Sequence, residues 1–181
     1  MNYKIMSDIE YMDMVNDILN NKEFLKLKFY RHHDNTRLDH SLKVSYTAFK
    51  LAKKFNLDFK SVARAGLLHD FFYGDLRYIN VIERKYMLNS HPYFSCYNAS
   101  KFFNLNDKEK NMITSHMFPI SYEIPKYKES ILLNIADDIE ALKEVGIYIR
   151  ERLKHNINLI LIMLNEVIWK NLKIKKLLNN Y

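Results

Sequence analysis

Residues 63–70 read Ala-Arg-Ala-Gly-Leu-Leu-His-Asp, a run of small and apolar residues that leads directly into an adjacent histidine and aspartate. Asp58 is a suitable N-cap, so we expect a helix from Phe59 to about Phe71 that ends near His69 and Asp70. The small side chains allow another backbone to approach this helix closely. The stretch therefore predicts a helix packed tightly in a helical core, with two potential ligand groups at its end.

The composition of the whole chain favours the same fold class. Its 181 residues include only three glycines and three prolines, so few residues break helices. No Pro-, Gly- or Ser-rich break separates one part from another. We therefore predict an all-α fold and a single domain over residues 1–181, with a motif-bearing core at about 33–145 and a C-terminal helical extension at 147–181.

Charge and cysteine content limit the partners and the setting. The formal net charge of +7 suits an anionic partner, but the basic residues are dispersed, so we read them as solvated surface and do not expect nucleic acid. The single cysteine, Cys96, excludes an intramolecular disulfide. Because there is neither a signal core nor an apolar run long enough to cross a bilayer, we expect a cytoplasmic protein without membrane contact.

Two further histidines lie at or near the start of a predicted helix. The apolar period between Arg37 and Phe55 predicts a long amphipathic helix with His40 near its beginning. Proline suits the first helical position, so we expect a helix from Pro92 to Phe103 that begins at His91. The preceding stretch, residues 73–90, shows no clear period and is interpreted as a loop that contains at most a short helix.

The C-terminal half predicts three more helices. Asn106 and Glu109 have the spacing of a capping box, which indicates a helix that reaches His116. A helix from about residue 127 to 145 contains Asp137 and Asp138, and a last helix covers residues 147–178. The Ile- and Leu-rich run 158–164 in that last helix is interpreted as core or as a contact in a homodimer, which we leave open.

The histidines and aspartates of these helices form a mixed set of imidazole and carboxylate groups. Such a set suits a transition metal and disfavours Ca²⁺ or Mg²⁺, which prefer shells of oxygen alone. Taken singly, each histidine is more often a core or surface residue than a ligand. The combination is more specific than its parts, and it predicts a metal site assembled from separate helices.

Three segments, taken in order, resemble the HD superfamily of metal-dependent phosphohydrolases. They are Arg37-Leu38-Asp39-His40-Ser41-Leu42-Lys43-Val44, Ala63-Arg64-Ala65-Gly66-Leu67-Leu68-His69-Asp70 and Ile135-Ala136-Asp137-Asp138-Ile139-Glu140. The resemblance covers roughly residues 33–142 and implies a helical HD-type domain with its metal site in the bundle core. It implies that His40, His69, Asp70 and Asp137 are ligands.

His91 and His116 lie where the binuclear branch of that family keeps the ligands of a second metal. This branch includes bacterial enzymes that split symmetrical dinucleoside polyphosphates. The resemblance then implies that Asp70 bridges two ions and that the two additional histidines complete the second site. One or two ions are expected, iron first, with manganese, zinc, cobalt or nickel as alternatives.

The residues leave the choice between Asp137 and Asp138 open. On a helical wheel Asp138 flanks the apolar stripe of Ile131, Ile135 and Leu142, whereas Asp137 falls on the opposite side. The match to the family segment favours Asp137 as the ligand. Asp138 is then a supporting carboxylate beside the site or near the substrate phosphate.

The chain differs from many members of the family at the position that contacts the substrate phosphate. Many family members carry a phosphate-contacting lysine three residues after the His-Asp pair, where this chain has Tyr73. Candidate substrate-binding residues are therefore basic side chains elsewhere: Arg37, Arg64, Arg77 and Lys126, with Lys128 as a further candidate.

The resemblance implies hydrolysis of a small phosphorylated substrate by a metal-activated water. We expect a nucleotide, a dinucleoside polyphosphate or another small phosphoester or phosphoanhydride, with Asp70 and Asp75 as catalytic carboxylates. One alternative is a non-catalytic HD module that binds a metal or nucleotide as a sensor or structural element. A nucleic-acid-binding helical domain is a second alternative, suggested only by the basic charge.

Overall fold

A computed structural model of the chain describes residues 3–32, 35–74 and 80–178. Its elements are helices and one small antiparallel hairpin, in which Arg31 pairs with Thr36 and His32 with Asn35. In chain order they are α1 (Tyr3–Met6), α2 (Ile9–Leu19), α3 (Lys22–Leu25), a 3-10 turn (Lys26–Phe29), β1 (Arg31–His32), β2 (Asn35–Thr36), α4 (Arg37–Lys54), α5 (Phe59–Leu68), α6 (Val81–Phe102), α7 (Asp107–Ser115) and α8 (Lys128–Leu178). The predicted all-α fold is confirmed.

The chain falls into two compact units, Met1–Leu142 and Lys143–Tyr181. The first unit contains the core, with fully buried side chains from α2, α4, α5 and α7. The described residues of the second unit are the C-terminal part of α8. Within the described ranges, no helix has both the length and the apolar character required to span a bilayer.

The close approach predicted for the helix of residues 63–70 occurs between α4 and α5. A Cβ atom at Gly66 would lie 2.7 Å from the Cα of Ser45, so only glycine fits this crossing. The Ser45 hydroxyl donates to the Ala63 carbonyl at 2.6 Å and lies 2.7 Å from the Tyr11 hydroxyl, which therefore donates to it. These contacts hold the helices of two predicted ligands, His40 and His69, at a fixed separation.

The local signals for two helices are confirmed. The Asp58 side chain accepts from the Ser61 N–H and begins α5, which ends with His69 as its C-cap. Asn106 and Glu109 form a complete capping box at the start of α7, and His116 is the C-cap of that helix. Both histidines thus lie at the ends of short helices.

The prediction for α6 is wrong at its N-terminus. The helix begins at Val81, and Pro92 lies inside it. The reason is a second capping box: the Asn80 side chain accepts from the Glu83 N–H, and the Glu83 carboxylate accepts from the Asn80 N–H. His91 therefore projects from the middle of a helix, and residues 81–90, interpreted as loop, are helical.

The prediction for the last two helices is also wrong in two respects. The segments 127–145 and 147–178 are one helix, α8. Of the apolar residues predicted on one side of this helix, Ile131, Ile135 and Leu142 are 52%, 49% and 71% exposed, whereas Leu132 and Ala136 are buried. Leu133 is buried as well, because α8 carries apolar residues on several faces and periodicity alone does not show which face packs.

Candidate metal centre

Six side chains of the first unit converge on one buried region. They come from α4, the end of α5, α6, the end of α7 and α8. The cluster consists of His40, His69, Asp70, His91, His116 and Asp137. The four histidines and Asp70 are at most 5% exposed, and the Asp137 side chain is 17% exposed. The structure thus brings together all six residues that the sequence predicted as ligands.

One group, here called the first triad, consists of His40, His69 and Asp137. Oδ1 of Asp137 lies 3.0 Å from Nε2 of His40 and 3.7 Å from Nε2 of His69. One potential ligand atom from each residue falls within 4.8 Å of the others. This spacing could hold a metal ion between three separate helices.

The other group, the second triad, consists of Asp70, His91 and His116. Oδ1 of Asp70 lies 3.3 Å from Nε2 of His91 and 3.7 Å from Nε2 of His116, and these two nitrogens are 3.0 Å apart. His69 also comes within 4.8 Å of Asp70 and His116 through its ligand atom. His69 therefore joins the two triads into one site.

Three of the imidazoles are oriented by backbone carbonyls. Nδ1 of His69 donates to the Gly66 carbonyl and Nδ1 of His116 to the Ile113 carbonyl, both at 2.7 Å. These carbonyls lie in the last turns of α5 and α7, where a helix leaves its acceptors unpaired. His91 donates in the same way to the carbonyl four residues earlier, at 3.0 Å. Because a carbonyl can only accept, Nδ1 of each ring carries a proton, and Nε2 is the atom left to bind a metal.

The electrostatics favour the ligand forms of these groups. Burial lowers the pKa of His69, and burial with the neighbouring histidines lowers the pKa of His116 to about 3. Burial alone would raise the pKa values of both aspartates, but the surrounding imidazoles outweigh it. They hold the pKa of Asp70 well below 3.8 and lower that of Asp137 to about 2. At neutral pH His69 and His116 are thus neutral imidazoles, and Asp70 and Asp137 are ionised carboxylates.

The nitrogen and oxygen ligand atoms of the cluster fit a transition-metal ion. Nε2 of His69 is buried and makes no hydrogen bond to any residue that the structure describes. Nε2 atoms of His91 and His116, whose Nδ1 protons are already engaged, face each other at 3.0 Å. A cation would satisfy these lone pairs, and mixed nitrogen and oxygen ligands are typical of iron, manganese, zinc or cobalt.

The two adjacent aspartates of α8 lie in different surroundings. Asp137 belongs to the first triad and contacts His40, whereas Asp138 is exposed. The part of the Asp138 carboxyl that is shielded from water, together with the charge of Asp137, raises the pKa of Asp138. The helical wheel placed Asp137 away from the core because it used Ile131 and Ile135 as the buried face, and that face is half exposed. The supporting role suggested for Asp138 remains a prediction without a described contact to the cluster.

Arg37, expected to contact substrate, is instead 1% exposed. Its guanidinium donates to the carbonyls of Phe72 and Gly74, at 2.7 and 2.9 Å, and its Nε lies 3.9 Å from Oδ2 of Asp70. Its predicted contact with substrate stays a prediction. Tyr73, between these two carbonyls, donates to the Glu23 carbonyl at 3.2 Å and so points toward α3.

The other basic candidates do not join the cluster through any contact of the described residues. Arg64 donates to the Met14 carbonyl and to Asp17 at 2.6 Å, and its Nε lies 3.3 Å from Glu109. Lys126 pairs with Glu123 at 3.4 Å. Arg64 lines a pocket of about 540 Å³ and Lys126 one of about 360 Å³, and the described lining of neither includes a cluster residue. Asp75, predicted as catalytic, and Arg77, predicted to bind substrate, lie outside the described residues.

Sequence reasoning missed Asn134, which lies beside the cluster. Its Nδ2 donates at 3.1 Å to the carbonyl of Ser115, the residue before His116. Its Oδ1 is buried and has no hydrogen-bond partner within the described part of the chain. The signal was present in the spacing, because Asn134 precedes Asp137 by three residues and such residues share a helix face.

Comparison with known proteins supports the assignment suggested by this geometry. No curated protein and no solved structure matches the chain. A family model described as "HD domain" matches residues 37–142, which is more than half of the chain and includes all six residues of the cluster. The chain therefore belongs to the HD domain family, whose members are typically metal-dependent hydrolases.

Proposed function

We propose that this protein is a two-metal phosphohydrolase that acts on a nucleotide, a dinucleoside polyphosphate or another small phosphoester. The observation that carries the proposal is the pair of triads joined by His69, with four imidazoles and two carboxylates in one buried cluster. Each triad offers three ligand groups, which suits one ion each. The resemblance to the binuclear branch, which implies that His91 and His116 are ligands of a second metal, supports this arrangement.

The charge of the site supports a role for bound cations. Asp70 and Asp137 are ionised at neutral pH, since both have lowered pKa values. A phosphate group is also negative and would be repelled by two buried carboxylates alone. Cations held by the triads would reverse the sign of the local field and allow a phosphate to approach.

When bound, such ions supply an activated water and polarise the phosphoryl oxygens. The residues of the chain supply position and fixed charge. Three imidazoles are held by backbone carbonyls, and the two carboxylates neutralise the ions without needing to lose a proton. For Asp75, which follows the His-Asp pair in the sequence, a role as acid or base remains a prediction.

Metal content provides the first test. Protein purified without chelator, then reconstituted with Fe²⁺ or Mn²⁺ under anaerobic conditions, is analysed for bound metal per chain. We expect about two equivalents. The variant Asp137→Asn should lose the ion of the first triad, and Asp138→Asn, which changes the adjacent exposed carboxylate, should keep the metal content of the wild type. Equal losses in both variants would contradict the assignment of Asp137.

Turnover is then measured on the metal-loaded protein. Nucleoside mono-, di- and triphosphates and symmetrical dinucleoside polyphosphates are screened by separating the products on an ion exchanger. Hydrolysis that requires metal and is lost in Asp137→Asn supports the proposal. Absence of bound metal after reconstitution with iron, manganese, zinc or cobalt would overturn it. Metal binding without hydrolysis of any of these compounds would leave the non-catalytic module as the better description.

A further inference from the structure

Arg37 is a buried arginine at the first position of α4, beside the loop that follows the His-Asp pair. Its Nη1 donates to the Phe72 carbonyl at 2.7 Å and its Nη2 to the Gly74 carbonyl at 2.9 Å. The Arg37 N–H also donates to the Tyr30 carbonyl at 2.7 Å, so the backbone that carries the guanidinium is fixed as well. The planar fork of arginine suits two carbonyls at once, which a lysine ammonium would not match.

The same guanidinium faces the carboxylate of Asp70. Its Nε lies 3.9 Å from Oδ2, whereas Oδ1 lies 3.3 Å from Nε2 of His91 and 3.7 Å from Nε2 of His116. The two oxygens of Asp70 therefore have different neighbours, a cation on one side and the histidines of the second triad on the other. An ion pair with Arg37 orients the carboxylate so that Oδ1 stays toward those histidines.

Arg37 is also linked to the second triad through contacts with an aromatic ring. The guanidinium carbon lies 3.8 Å from the centroid of the Phe72 ring, a distance typical of a cation–π contact. The same ring also contacts His91, with ring centroids 5.0 Å apart. Arg37 thus supports Asp70 directly and His91 through Phe72.

We propose that Arg37 is a positioning residue for the second triad. It holds Asp70 and His91 in the geometry that binds an ion. The inference rests on the proposed two-ion function and assigns no contact with substrate, since Arg37 is 1% exposed. Outer partners of this kind orient ligands and tune the affinity of metal sites.

Arg64 provides a matched control. It is also an arginine engaged by a backbone carbonyl and by carboxylates, namely the Met14 carbonyl, Asp17 and Glu109. None of these partners belongs to the cluster. Replacing Arg64 removes a comparable anchor from the fold without touching the partners of the second triad.

The test is a titration of chelator-treated full-length protein with Co²⁺, followed by visible absorption, because the spectrum reports ligand geometry independently of turnover. We expect the wild type to bind two equivalents. Arg37→Met should bind one Co²⁺ with nearly unchanged affinity and the other about 10- to 100-fold more weakly, the range observed when outer partners of ligands are lost. Arg64→Met should bind both as the wild type does, and Arg37→Lys should fall between the wild type and Arg37→Met.

Circular dichroism establishes that each variant is folded before titration. If Arg37→Met does not fold, Phe72→Leu takes its place, since it removes the ring between Arg37 and His91 and should weaken the same ion. Two wild-type affinities in the folded Arg37 or Phe72 variant, or an equal weakening of both ions, would overturn the inference. A wild type that binds fewer than two Co²⁺ would instead contradict the proposed two-ion function.

Discussion

The two triads offer similar ligand atoms but are supported in different ways. His40 and His69 of the first triad depend on packing between α4 and α5, where Gly66 lies against the backbone of Ser45. In the second triad, backbone carbonyls hold His91 and His116, and the side chains of Arg37 and Phe72 lie against Asp70 and His91. The comparison suggests that the first triad is sensitive to volume at a helix crossing and the second to the loss of single polar or aromatic groups.

The largest expected effect comes from a comparison of His69, which belongs to the first triad and lies next to the second, with His116, which belongs to the second triad alone. His69→Ala should lose both ions, because the ligand atom of His69 lies within 4.8 Å of those of His40 and Asp137 in the first triad and of those of Asp70 and His116 in the second. Hydrolysis should fall by more than the roughly 100-fold typical of losing an outer partner. His116→Ala should lose only the ion of the second triad. Elemental analysis of both proteins checks the difference, and equal metal loss would show that the triads are not separable.

A substitution at the helix crossing should disturb the first triad through the fold. The new Cβ of Gly66→Ala would lie 2.7 Å from the Cα of Ser45, so the free energy of unfolding should fall by about 2 kcal/mol, as is usual for overpacking. Urea unfolding measures this change.

Gly146→Ala is the control for that variant, since nothing lies within 4 Å of the added Cβ. It should leave stability unchanged or raise it by up to about 1 kcal/mol, because alanine is the better helix former. Equal destabilisation by both substitutions would contradict the role of the α4–α5 crossing.

The smallest expected effect concerns an ion pair outside both triads. Lys108 lies 3.3 Å from Asp58 and 3.0 Å from Glu129, and all three side chains are partly exposed. Lys108→Met should lower the free energy of unfolding by only about 0.5 kcal/mol at pH 7 and leave the metal content unchanged.

This contribution should depend on pH. Burial would raise the pKa values of Asp58 and Glu129, but hydrogen bonds, including those from Lys108, lower them below 3.8 and 4.5. Groups with a lowered pKa stabilise the folded state above their ordinary pKa and lose this effect as the pH falls through the folded value. The difference between wild type and Lys108→Met should therefore shrink as the pH falls below the ordinary pKa values of these two carboxyl groups, and a difference that grows on acidification would contradict the assignment.

Helix boundaries could be predicted from the sequence where the signal was local. The capping box at Asn106 and Glu109 gave the start of α7, because both partners lie within four residues. The same signal at Asn80 and Glu83 was passed over in favour of Pro92, and this error shortened α6 by eleven residues. The orientation of α8 could not be predicted, since it depends on contacts with other helices, such as the hydrogen bond from Thr47 to Glu140.

For the candidate site, the residue types and their segments could be predicted, but their neighbours could not. The motif pointed to the six residues that the structure brings together. The burial of Arg37 depends on a loop 35 residues later in the chain, and nothing in its own segment indicates it. The same applies to Asn134, whose proximity to His116 follows from the packing of α8 on α7.

The hydrogen bonds from Nδ1 of His69, His91 and His116 to backbone carbonyls also affect conformational entropy. A side chain that must become immobile on binding loses rotamer freedom at a cost on the order of 1 kcal/mol. These three rings are already restricted in the folded chain, so that cost falls on folding instead of on ion capture. The fold therefore presents a preorganised set of imidazoles, and an arriving ion has little side-chain order left to impose.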